Sequence, residues 1–144
     1  MEALGLVCMY GLTTVDDIRT RQIRMFQVVI FGIIGIVLEV INKHHSWNSI
    51  IGGVCVGLVM LAFSILTKEK IGKGDAYVVI VSGLYLGFVD TLILLWLSSI
   101  YATVIGFFVI RKYDNDLAYE IPFIPFLLMG YITLIIIHHF GGIL

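Results

Sequence analysis

Apolar residues in this chain gather into long runs rather than alternating or forming one narrow stripe. Six runs stand out, over roughly 1–15, 25–41, 49–66, 75–89, 91–110 and 121–140. A helix needs about 20 mostly apolar residues to cross hydrocarbon, and fewer where its end lies in a polar cavity. The first and fourth runs are short by that measure. Short polar segments separate the runs, without a Pro/Ser-rich linker or a low-complexity tract. The pattern predicts one all-α domain over 1–144, a polytopic membrane helical bundle with about six transmembrane helices.

Charge placement orients that bundle. Arg19, Arg21 and Arg24 follow the first run, Lys68, Lys70 and Lys73 follow the third, and Arg111 and Lys112 follow the fifth. These alternate segments hold eight of the nine basic residues, and the other side has only Lys43. Basic loops stay on the cytoplasmic side of a membrane. The expected arrangement is a multi-pass protein of the cell's inner (plasma) membrane, with loops one, three and five in the cytoplasm. Trp47 then reads as an anchor at the outer interface.

Composition agrees. Hydrophobic residues make up 60% and charged residues 13%, against about 45–50% and about 25% in soluble domains. Lipid must therefore cover much of the surface. A net charge of −1 leaves no electrostatic footprint for nucleic acid. The stretch from Ala3 to Val15 lacks a basic flank and a small-x-small cleavage site, so it reads as a retained span rather than a signal peptide. Cys8 and Cys55 lie in separate apolar runs, outside any CxxC or Cys/His cluster. They read as small buried apolar residues, with no case for zinc or a disulfide. Two histidine pairs, His44-His45 and His138-His139, map to the outer side. Neighbours on a helix point about 100° apart, so these read as interfacial polar residues rather than chelates. No metal and no cofactor is expected.

The candidate chemistry lies in three acids at the inner side. Asp16 and Asp17 end the first span, and Asp75 opens the fourth directly after Gly72-Lys73-Gly74. Ionisable groups this close to a membrane core tend to be functional. Spacing alone also allows simple pairing with Arg19, Arg21 or Lys73. Two facing carboxylates have a specific use, because like charges at close range do not both ionise easily and one keeps a proton. The ionised acid can activate water while the protonated one donates to a carbonyl oxygen. Gly72 and Gly74 permit a positive φ or the close approach of another backbone, such as a peptide substrate.

At these residues the sequence resembles the type IV prepilin peptidase family, the GxGD-type aspartyl peptidases. Three segments carry the resemblance. Asp17-Ile18-Arg19-Thr20-Arg21-Gln22-Ile23 looks like the family's Asp-x-Arg-x-Arg-x-Ile stretch, Gly72-Lys73-Gly74-Asp75 is the GxGD signature, and Ile121-Pro122-Phe123-Ile124-Pro125-Phe126-Leu127 resembles its Pro-Phe-x-Pro-Phe segment. The resemblance implies Asp17 and Asp75 as catalytic aspartates. Asp16 is the rival for the first position; the register of Arg19, Arg21 and Ile23 selects Asp17 and leaves Asp16 a solvated neighbour. Gly72, Gly74, Pro122 and Pro125 are implied to bind substrate or shape the site mouth. Arg24 and Met25 stand where the family usually has Pro and Asn. The paired CxxC motifs that larger relatives link to N-methylation are missing, so peptidase activity alone is implied.

The implied function is cleavage of the basic leader from single-span prepilin or pseudopilin substrates at the cytoplasmic membrane face. Asp114, Asp116 and Glu120 could attract the leader, although a solvated loop explains them as well. Two other readings compete. A non-catalytic, peptidase-derived subunit of a pilus or secretion machine is one. A small transporter is the other, but Glu39 and Asp90 sit near outer ends and leave no relay of charges through mid-span.

Overall fold

The computed structural model describes residues 2–20, 23–43, 45–67, 72–112 and 122–141. Among them the chain forms five helices: α1 (Glu2–Thr20), α2 (Met25–Asn42), α3 (Trp47–Leu66), α4 (Lys73–Lys112) and α5 (Ile124–Gly141). Helices α2 to α5 are long and apolar enough to cross a membrane. An all-helical, polytopic bundle is thus present, with five helices and four span-length ones instead of about six separate spans.

The difference lies in α4. Hydropathy divides that stretch at Asp90, yet helical structure runs over 40 residues. Its break is at Gly87, with φ 73° and ψ −170°. A side chain at that φ would be strained, and glycine is free of that strain. Unbroken, 40 residues would extend about 60 Å, twice the hydrocarbon thickness. Contacts along α5 give the direction of each leg. On the first leg, Asp75 lies toward Asp17, whose carboxylate meets the start of α5 at Ile124. Further along, Ser82 bonds Tyr10, whose ring packs 5.4 Å from that of Tyr131. Leu86 lines the same cavity as Leu134 and His138. The second leg runs the other way, with Asp90 3.5 Å from His138 and Ser98 packed against Gly130.

Such a break orphans backbone groups, and α3 supplies the partner. The Phe88 N–H donates to Ser49 Oγ at 3.1 Å, and the Thr91 hydroxyl donates to the Gly87 carbonyl at 2.6 Å. Ser49 therefore caps the second leg from a different helix. Ser49→Ala is expected to lower stability by about 1 kcal/mol, read as a lower unfolding temperature in detergent with unchanged helical circular dichroism.

The core sits where α1, α2, α4 and α5 meet, and includes Leu6, Tyr10, Val78, Tyr85, Leu127 and Tyr131. Phe26, Ile33, Phe63, Trp96 and Phe108 point outward, as suits a surface solvated by lipid. Cys8 and Cys55 are also exposed, which corrects their expected burial. Thiols this small and apolar sit as well against lipid as inside. Trp47 is exposed at the start of α3. Near it, Glu39 accepts the His45 N–H at 2.8 Å and lies 3.5 Å from Nδ1. His45 and His138 thus each have a carboxylate beside them. His44 lies outside the described residues.

Candidate active site

The last turns of α1 set the first acid. Leu6, Met9, Tyr10, Thr13 and Asp17 are buried, at the three- and four-residue steps that keep one helical face toward its neighbours. That register turns Asp17 inward, with 7% exposure. Asp16, about 100° around the helix, points elsewhere. Its carboxylate is still largely covered at 14% exposure, with Arg24 Nε 3.5 Å from Oδ2. The expectation of a solvated Asp16 is thereby corrected, with the Arg24 side chain from the entry to α2 beside it.

Asp17 receives the start of α5. The Ile124 N–H donates to Asp17 Oδ2 at 3.3 Å. Ile124 is the first residue of α5, so its N–H has no partner within the helix. A carboxylate from α1 thus caps α5, at the end where the helix dipole favours negative charge. Pro122 and Pro125 flank this amide, each partly buried. Proline is tolerated in a helix's first turn, so the segment can be rigid and still leave the Ile124 amide free to donate.

The second acid is set by the start of α4. The N–H groups of Asp75 and Ala76 donate to the Gly72 carbonyl at 3.1 and 3.4 Å. This folds the Asp75 carboxyl back over Gly72, where an added Cβ would lie 3.1 Å from Oδ2. Gly72 is exposed. A Cβ on Gly74 would lie 2.6 Å from Ile23 Cδ1. In the free chain, then, Ile23 fills the space at Gly74 that was expected to receive a substrate backbone. Among the described residues only Gly87 and Lys43 have positive φ, so Gly72 and Gly74 use their small size rather than unusual backbone angles.

Asp17 and Asp75 are close enough to act on each other electrostatically. Three distant segments converge there. Ile23 rests on Gly74, Ile124 bonds Asp17, and Asp75 lies within electrostatic reach of Asp17. A family model described as the type IV leader peptidase family matches residues 4–107. The chain belongs to that family. No curated protein and no solved structure matches the chain. The leader peptidase match spans α1 to most of α4, including both acids, while the segment around Pro122 and Pro125 lies beyond it. Arg21, Lys68, Lys70, Asp114, Asp116, Glu120 and Ile121 lie outside the described residues.

One feature of this member of the family escaped the sequence reading. The Asp17–Ile124 bond joins residues 107 apart and has no local signal. The selection of Asp17 over Asp16 has a second local signal besides the motif register, in the spacing of Leu6, Tyr10 and Thr13 ahead of it.

Proposed function

We propose that the chain is an intramembrane aspartyl endopeptidase that removes the basic leader from type IV prepilins or pseudopilin-like substrates. The observation that carries this reading is Asp17 within electrostatic reach of Asp75 at one end of the bundle, in a member of the leader peptidase family. The site would lie at the cytoplasmic face of the plasma membrane, supported by the basic residues that flank it. The two legs of α4 would cross separately, supported by their opposite directions along α5.

In the mechanism, Asp17 takes the ionised role because it already accepts an amide N–H. It removes a proton from water as the oxygen attacks the scissile carbonyl carbon. Asp75 gives its proton to the carbonyl oxygen. The tetrahedral diol then collapses, the C–N bond breaks, and the leaving nitrogen takes a proton from Asp17. Loss of the diol proton to Asp75 restores the starting pair. Gly72, exposed beside Asp75, offers the approach for a substrate backbone, and Pro122 and Pro125 shape the opposite wall. A glycine before the scissile bond, as the family resemblance implies, keeps that approach open.

The test is incubation of the purified chain in detergent with a prepilin peptide carrying a basic leader, a junction glycine and an apolar helix. Mass spectrometry should find one cut, at the junction. No cut across several leaders, with folded protein, would favour a non-catalytic assembly subunit. Ile124→Pro removes the N–H that holds Asp17, at a position where proline suits the helix. It is expected to slow cleavage roughly five- to tenfold, with KM little changed.

A further inference from the structure

Asp16 is a third carboxylate beside the acid pair, and its surroundings are unfavourable. It lies near the C-terminal end of α1, where the helix dipole disfavours negative charge. Its Oδ2 is buried and makes no hydrogen bond. Arg24 faces it, with Nε 3.5 Å away. The charged and polar groups at this end of the bundle come from four elements among the described residues. Helix α1 brings Asp17 and Arg19, and the entry to α2 brings Arg24. The start of α4 carries Lys73 and Asp75, the latter within electrostatic reach of Asp17, and α5 offers the Ile124 N–H, which goes to Asp17. Arg24 is also where the chain departs from the Pro that the resemblance leads one to expect. Its guanidinium arm is 70% exposed, so packing does not account for it. Consecutive Cα atoms are about 3.8 Å apart, so a charge paired with Asp16 acts on Asp17 from within roughly one Debye length, about 10 Å.

We propose that Arg24 is a positioning residue for the acid pair. Its guanidinium offsets the charge of Asp16, so that Asp16 adds little negative charge beside Asp17 and Asp75. This rests on the peptidase reading for its effect on turnover, though not for its effect on charge. Removing the cation makes a single negative charge on the pair harder to establish. Removing Asp16 leaves Arg24 unopposed and makes it easier.

The experiment is the pH profile of kcat/KM for the prepilin peptide, measured with full-length chain in detergent. Arg24→Gln should move the acid limb up by about half to one pH unit, the size of an exposed charge acting through partly screened surroundings. Asp16→Asn should move it down by a similar amount. The double variant Asp16→Asn/Arg24→Gln should return it to the wild-type position, and Arg24→Lys should hold it there. In parallel, the infrared band of the protonated carboxyl groups, isolated by subtraction of Asp75→Asn protein, is titrated in the same variants. It should shift in the same directions without any turnover. A profile and a band that both stay put in Arg24→Gln would overturn the inference and leave the peptidase reading standing. So would a double variant as impaired as Arg24→Gln, because Arg24 would then act only through the start of α2. Wild-type protein that cuts nothing would sink the peptidase reading, and the infrared titration would still decide the role of Arg24.

Discussion

Asp75→Asn should leave leader cleavage at least about a thousandfold below wild type, while the protein still inserts and folds. A positioned general acid or base contributes about 10²–10⁴-fold, and the paired mechanism needs both at once. Asparagine has the shape of the acid but can neither hold nor release the required proton. Asp17→Asn should be as severe. Its amide oxygen can still accept the Ile124 N–H, so α5 stays capped and the loss is chemical rather than structural. Single-turnover cleavage, followed by mass spectrometry, measures both. Circular dichroism and unfolding in detergent should show each variant close to wild type. Retention of more than a tenth of the wild-type rate by either folded variant would remove that aspartate from the mechanism.

The largest structural effect should come from Gly83→Val. Helices α3 and the first leg of α4 meet through facing glycines, Gly53 and Gly57 on one side and Gly83 and Gly87 on the other. A Cβ on Gly53 would lie 2.6 Å from the Gly83 carbonyl oxygen, and one on Gly57 would lie 2.6 Å from the Ile80 amide nitrogen. A Cβ on Gly83 would meet the Gly53 backbone in the same way. These obstacles are main chain and cannot swing aside. In lipid, where hydrophobic burial does not drive helix association, such close packing is what holds helices together. Forcing the pair apart should cost about 3 kcal/mol or more, seen as an early midpoint when sodium dodecyl sulfate is titrated into mixed micelles. Activity should fall with it, because α4 carries Asp75. Gly11→Ala is the control: a Cβ there meets nothing within 4 Å, so its midpoint should not drop.

These glycines also show what the pattern of residues left unread. Glycine four residues apart is visible in both runs, and it marks a helix contact in lipid. It does not say which helix answers it. The pairing of 53 with 83 appears only once α3 and α4 lie side by side. In the same way, hydropathy separated α4 at Asp90 because a charge interrupts an apolar run. The chain breaks three residues earlier, at Gly87, where a glycine tolerates the required φ and Ser49 meets the exposed N–H. Hydropathy scores the preference of each residue for lipid. It contains no term for the backbone hydrogen bonds that end a helix.

What the sequence determined by itself is the class of the molecule and the family it belongs to. Long apolar runs with few charges require helices in lipid, since every backbone group must find its partner within the span. The three motifs point to the family and to Asp17 and Asp75 as its candidate acids. Only the tertiary structure decided how those motifs become one site. The buried face of α1 turns Asp17 inward and Asp16 toward Arg24. Ile23 settles on Gly74, and the free N–H at the start of α5 reaches Asp17. Each of the last two is a contact between segments far apart in the chain. Its energy depends on distance and direction in space, and those exist only after the helices have packed.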